Sequence, residues 1–504
     1  MPISALAFLI LTAAIALLWS HYQLLWADEF GVITTASIPS ITQLIHIELT
    51  KPFSWDPIGY NALMHTVSRL FGLSAFAMRL PSMGGYLLMQ VCLFYFVRRI
   101  ATERAATVAL AFPALVGIVS YSAQARPYGL LLGLSTLVML SWQTATRRSS
   151  RRTLALVVLP LSMAMVINTQ YYGVLLLVPL FAAESIRIFE RRRADIPVLV
   201  SIFACVAGLA IAEPFARALS RFSAYHQPAE VSYHFISHSY LWLMMGNLTL
   251  NARMQHVVGF SIVGVLLALV GEFVRLRSKV TLNLPHAEAT FVVILSAFPV
   301  LAYLLAKYVT YFVESRYVQP AIIGIAAILA ILTAPLLENK TIARIVFASL
   351  FVAIAIAGFL RIRTEMEQGR STMSSLVLNP ATERNLESVP EQPIYVINSA
   401  VFQLVGYYAP NTDIRSRITM VYPRDAELSS GVGVDLGMQA VYAQAAGIRN
   451  IVPYESVFRP GTQHIFLLYH NPWDWTDRAL AASHPQITYL GQFYGGDLVS
   501  VRFP

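Results

Sequence analysis

Charge is scarce in this chain. Asp, Glu, Lys and Arg make up 12% of its 504 residues, about half the share of an average soluble domain. Hydrophobic residues make up 56%, and the mean hydropathy is +0.59. A water-soluble globule is therefore excluded, and the composition is that of an integral membrane protein. Cysteine is scarcer still. Cys92 and Cys205 both lie inside apolar runs, so no disulfide framework is indicated. Met1 to Leu18 contains no Lys or Arg, and no small-residue cleavage site follows its apolar run, so it reads as a retained span and not a signal peptide. The chain has no Walker-type phosphate loop and no Gly-rich dinucleotide fingerprint, which removes soluble nucleotide chemistry. The formal charge of +9 does not point to nucleic acid either, because the basic residues sit in short clusters between apolar segments, as topology signals do.

What is present is a succession of apolar runs. A hydrocarbon core of about 30 Å needs about 20 apolar residues as a helix. Runs of that kind lie near 3–25, 81–98, 105–122, 127–145, 153–169, 171–188, 196–213, 256–274, 290–307, 318–337 and 342–360, which predicts about eleven transmembrane helices. Arg98, Arg99 and Arg104, then Arg147, Arg148, Arg151 and Arg152, then Arg187 and Arg191 to Arg193, then Arg275, Arg277 and Lys279, then Lys340 and Arg344 cluster in short loops on one side. By the positive-inside rule that side is cytoplasmic. The N-terminus is then cytoplasmic and the C-terminus exterior, which is periplasmic in a bacterial inner membrane.

Two exterior loops stand out. The first, 26–80, opens on Asp28-Glu29 where the first apolar run stops, and continues through Lys51-Pro52-Phe53-Ser54-Trp55-Asp56-Pro57. Adjacent carboxylates at a membrane boundary mark either the end of a span or a site. Tyr60 to Leu70 spaces Leu63, Met64, Val67 and Leu70 at helical intervals, which suits an interfacial helix. The second loop, 213–255, carries Tyr225, His226, Tyr233, His234, His238, Tyr240 and Trp242, the make-up of an interfacial aromatic belt. Its histidines are compatible with a metal, yet their spacing demands none. From Arg361 onward the composition becomes that of a soluble domain. Ile394–Ile397, Ile465–Tyr469 and Leu498–Val501 read as strands, and Ser399–Tyr408 and Met438–Ala446 as helices between them. The expected architecture is thus an α-helical polytopic membrane domain, 1–360, followed by a small exterior α/β domain, 361–504.

Four stretches, in this order, resemble the GT-C superfamily of membrane glycosyltransferases, in the family 39-like branch of protein O-mannosyltransferases and the bacterial lipid A aminoarabinose transferase. They are Asp28-Glu29; Leu70-Phe71-Gly72-Leu73-Ser74 with Arg79-Leu80-Pro81-Ser82; Tyr121 to Tyr128 with its Gln124-Ala125-Arg126-Pro127 turn; and Glu314-Ser315-Arg316-Tyr317 ahead of Pro320. Where that family often has His-Pro-Pro near the end of the first loop, this chain has Trp55-Asp56-Pro57, so no role of that histidine carries over. The resemblance implies a GT-C-like fold and transfer of a sugar, with inversion, from a polyprenyl-phosphate-linked donor in the bilayer to a lipid, glycan or protein acceptor. The donor is then a co-substrate; no cofactor is required, and a divalent metal is compatible with the acidic and His residues of the two loops but is not indicated by their spacing.

The residues themselves suit that chemistry. Attack by a hydroxyl needs a base, and a positioned carboxylate serves. Asp28 is the candidate, with Glu29 orienting it, touching the acceptor or pointing away, since neighbours on a helix do not share a face. A departing lipid phosphate needs cationic stabilisation, for which arginine's planar fork is suited. Arg316 beside Tyr317, Arg126 in its turn and Lys51 in the first loop are candidates to bind it, and Asp56 and Tyr60 to line the cavity. Other readings of the same pattern are a transporter or flippase, or a polymerase or ligase, for lipid-linked saccharides.

Overall fold

The structure, a computed structural model, describes residues 1–52, 56–222, 231–246, 252–276, 284–389, 391–422, 440–469, 480 and 483–504. Each of the eleven apolar runs is helical. Six described helices are long and apolar enough to cross a bilayer unaided, and two further bent pairs raise that number to eight. The run at 105–122 is not straight: it bends by 74° between Glu103–Ala114 and Gly117–Ala123. The run at 290–307 bends by 57° after Ser296. The chain is a multi-pass membrane protein.

Local signals in the first exterior loop explain its elements. After α1 (Ile3–Tyr22), four residues lead into α2 (Ala27–Ser37). Ser40 caps α3 (Ile41–Thr50) by accepting the Gln43 amide. Pro57, with no amide hydrogen to leave unpaired, precedes α4 (Ile58–Phe71). Gly72, at φ +81°, ends that helix, as a residue without Cβ can. Ser74 then caps α5 (Ala75–Arg98) through the Ala77 amide. In α4 the buried face is Tyr60, Met64 and Val67, packed on Val32 and Ala36 of α2, whereas Leu70 is exposed. Next to α5 runs the helix Tyr128–Ala145. A Cβ at Gly129 would collide with the Ser82 carbonyl of α5, so glycine there permits the close approach on which tight helix pairing in membranes relies.

The last span continues into water. Its helix, Lys340–Ser375, is 36 residues, about 54 Å at helical rise, and so extends well beyond the bilayer. The charged run from Arg361 ends apolarity but not helicity, because Arg, Glu and Gln are good helix formers. The C-terminal α/β fold therefore begins after Ser375. Its sheet has the order β3-β2-β1-β4-β6-β5, in β1 (Ile394–Val396), β2 (Ile418–Tyr422), β3 (Ile451–Pro453), β4 (Gln463–Leu468), β5 (Gln486–Phe493) and β6 (Gly496–Arg502). The four strands β3, β2, β1 and β4 run parallel, and β6 and β5 close the edge antiparallel. Both sheet faces are apolar and covered, as parallel strands require. Helix Ser399–Tyr408 falls where the sequence places it. Of the helix expected at 438–446, residues 440–445 are helical, 446 is in a turn, and 438–439 lie outside the described residues.

This domain docks on the first exterior loop. The Tyr408 hydroxyl accepts the Leu25 amide at 3.0 Å, and the Tyr407 and Tyr408 rings meet Phe30 edge-on at 5.9 and 6.5 Å. Tyr442 is buried among Ile38, Leu44, Ile47 and Ile58 and donates to the Glu48 carboxylate. Asn61 Nδ2 also donates to Glu48, at 2.9 Å. Burial outweighs those donors and lifts the Glu48 carboxyl to about 8. Because the folded-state value lies above the ordinary 4.5, the docked protein holds a proton that the unfolded chain releases. Stability therefore falls as pH rises from about 4.5 to about 8, by at most about 1.4 kcal/mol per pH unit. Melting temperature measured across that window should decline, and Glu48→Gln should flatten the decline.

Candidate active site

The first turn of α2 separates the acidic pair. Consecutive helical residues are rotated by about 100°, so one carboxylate turns inward and the other outward. Glu29 turns inward and is fully buried. Arg79 of α5 grips it with two bonds, Nε to Oε1 and Nη2 to Oε2, both 2.8 Å. The Ala125 amide adds a third, at 2.6 Å. Arg79 also donates to the carbonyls of Ser20, Gln23 and Leu24, satisfying acceptors that the end of α1 leaves open. Glu29 thus has both oxygens occupied and no exposed surface, which puts it out of reach of any substrate. Arg79 was visible in the sequence only as part of a motif. An arginine in the first turns of an apolar helix, where a lone charge is costly, is the signal that would have marked it.

Asp28 turns outward into a cavity that Asp56, Arg126 and Arg316 also line. Its Oδ2 lies 2.8 Å from Arg316 Nη1 and 3.6 Å from Arg126 Nη2. Each arginine has a second carboxylate: Asp56 Oδ2 stands 3.1 Å from Arg126 Nη1, and Glu314 Oε2 stands 2.5 Å from Arg316 Nε. Burial pushes the Asp56 carboxyl above its usual range, opposed by Arg126. Arg126 is itself held above its usual value, its burial outweighed by the Asp56 charge and its neighbours. Both arginines are presented by rigid turns. Ser82, one turn along α5 from Arg79, donates to the Arg126 carbonyl. Arg316 sits in the 3-10 turn Ser315–Val318, whose Ser315 hydroxyl contacts His238 at 3.1 Å.

Other expected residues lie further out. Tyr317 is buried behind Arg316, its ring tilted against Tyr172 at 5.2 Å and meeting Phe312 edge-on at 6.2 Å. Tyr60 is buried in the α2–α4 packing beneath Asp56. Neither lines the cavity. Lys51 is exposed at the end of α3 and makes no ion pair among the described residues. Helix α2 of the first loop is one wall of the cavity, and the C-terminal domain closes over it through Ser399, Phe402, Gln403, Met420, Ala443, Ile448 and Ile451. The reason is the aromatic docking on Phe30, which brings helix Ser399–Tyr408 down on α2. His234 meets the Tyr233 ring at a tilt, 4.2 Å between centroids. Tyr225, His226 and Trp55 lie outside the described residues.

Residues 56–216 match the family model described as dolichyl-phosphate-mannose-protein mannosyltransferase. No curated protein matches the sequence. Among solved structures, ArnT from Cupriavidus metallidurans bound to undecaprenyl phosphate is similar over 98% of this chain and 97% of its own, at a TM-score of 0.57 and 12% identity. Its apo state matches at 0.57 and 13%, over 97% of each chain. The oligosaccharyltransferase AglB from Archaeoglobus fulgidus, in complex with an inhibitory peptide and a dolichol-phosphate, covers 92% of this chain and 69% of its own at 0.45 and 11%. The chain has the GT-C fold that its sequence resembles.

Breaking a buried ion pair on one side leaves an uncompensated charge, at a cost of about 3–5 kcal/mol. Arg79→Leu should therefore sharply lower the yield and melting temperature of the purified protein. Double replacement with Glu29→Leu should recover part of the loss, measured by the same melt.

Proposed function

We propose that this chain is an inverting glycosyltransferase that moves a sugar from a polyprenyl-phosphate-linked donor to an acceptor on the exterior, periplasmic face of the cell inner membrane. The observation that carries this reading is Asp28 facing a cavity with Arg126 and Arg316 at its side. The fold is shared with a protein bound to undecaprenyl phosphate, which supports a lipid phosphate as the ligand. The positive-inside pattern supports the exterior location.

In this reading the phosphate lies against the two guanidinium groups, which accept the charge that develops as it leaves. An acceptor hydroxyl attacks the anomeric carbon from the face opposite the phosphate. The bond from that carbon to the phosphate oxygen breaks, its electron pair stays on the phosphate, and the hydroxyl proton passes to Asp28 and on to water. Asp56 and Glu314 hold the arginines in place, and Glu29 acts only through Arg79 by fixing α2. The isoprenoid tail runs between apolar helices into the bilayer, and the C-terminal domain excludes water from the reacting groups.

Asp28→Asn should lower transfer of labelled sugar to native membrane acceptors by about 10²- to 10⁴-fold while leaving the melting temperature unchanged. Full transfer by that variant would remove Asp28 as the base. Passage of the donor across liposomes with no covalent product would contradict the enzyme reading itself.

A further inference from the structure

The charge cluster in the cavity has more acid than its arginines need. Arg126 is already paired by Asp56 and Arg316 by Glu314, and Asp28 is a third carboxylate shared between them. The three acids are not equivalent. The Asp56 side chain is 5% exposed and backed by the first loop, where Asn61 Nδ2 also donates to its main-chain carbonyl at 3.1 Å. Glu314 lies two residues from Arg316 on the same turn, so the two remain together whatever occupies the cavity. Asp28 comes from a different element and meets both arginines through a single oxygen, Oδ2.

We infer that Asp28 is the exchangeable partner in this cluster: it occupies the two arginines while the cavity is empty, and the phosphate of the lipid donor displaces it. This inference rests on the reading of the cavity as a lipid-phosphate site. An anionic phosphate presents several oxygens to the planar forks of Arg126 and Arg316, where Asp28 presents one. Asp56 and Glu314 keep both forks in position during the exchange, so the phosphate meets a preorganised pair. Once released, Asp28 is no longer neutralised by two cations and lies beside the bound donor. While its Oδ2 is held by the two arginines, Asp28 is not free to meet an acceptor hydroxyl. The base is therefore competent only when the sugar to be transferred is seated. Such an arrangement makes binding ordered, donor before acceptor.

The test is a binding measurement with a counterintuitive sign. Undecaprenyl phosphate is titrated into the full-length protein in detergent, wild type against Asp28→Asn, with Asp28→Ser as a second replacement and a thermal melt to confirm folding. Removing the competing carboxylate should tighten binding about tenfold in each variant that folds, even as transfer is lost. Undecaprenol, which lacks the phosphate, should bind the variants and the wild type alike. Unchanged or weaker binding of undecaprenyl phosphate by the variants overturns the inference, as does an equal gain for undecaprenol, which would signal a widened cavity and not a removed competitor. Arg316→Ala separates this outcome from failure of the site. If it weakens binding while the Asp28 variants do not tighten it, the phosphate site stands and the exchange falls. If it leaves binding untouched, the phosphate reading itself falls.

Discussion

The buried pair of Glu29 and Arg79 is the constraint on which the site depends. It brings together four pieces that are distant in sequence: the end of α1, the first turn of α2, the start of α5 and the turn at Ala125. Desolvating two charges costs several kcal/mol for each ion, and here the cost is offset by four further hydrogen bonds, all to main-chain atoms. Once Glu29 is fixed, helix geometry leaves one direction for Asp28, and that direction is the cavity. The same α5 face carries Ser82, which holds the Arg126 carbonyl. One helix face therefore aims both the carboxylate and one of its arginines.

The cavity divides its labour by origin. Every carboxylate and guanidinium lining it comes from the membrane domain, among the described residues, while the C-terminal domain adds apolar groups with Ser399, Gln403 and Tyr442. Electrostatic work is thus done by groups fixed in rigid helices and turns. Enclosure is supplied by a domain seated through aromatic contacts on Phe30 and through Tyr442 on Glu48. Because Tyr442 also lines the cavity, the state of this docking bears directly on how well water is kept from the charged groups there.

Much of this was legible in residue order. Apolar run length located the membrane helices, since the bilayer imposes one scale on every span. Alternation and β-branching located β1, β4 and β6. Missed were the bends at Phe112–Gly117 and after Ser296, although Pro113 with Gly117 and Pro299 stand at them, and the short helices α2 and α3, whose amphipathicity is interrupted by polar residues packed inward such as Glu48. Asp28, Arg126 and Arg316 lie far apart in the chain, each marked by its residue type and motif, and the fold places them within one charge cluster. What the chain could not reveal was which acid faces inward and which residues lie opposite. The Glu29–Arg79 pairing spans fifty residues, and the packing of helix Ser399–Tyr408 against α2 spans far more. Contacts of that range leave no local periodic trace.

The account is tested most directly by a structure of the protein with undecaprenyl phosphate bound. It predicts the phosphate oxygens at about 2.7–2.9 Å from the guanidinium nitrogens of both Arg126 and Arg316, with Asp28 beside them and facing the position of the sugar. A phosphate seated elsewhere, with both arginines untouched, would contradict it.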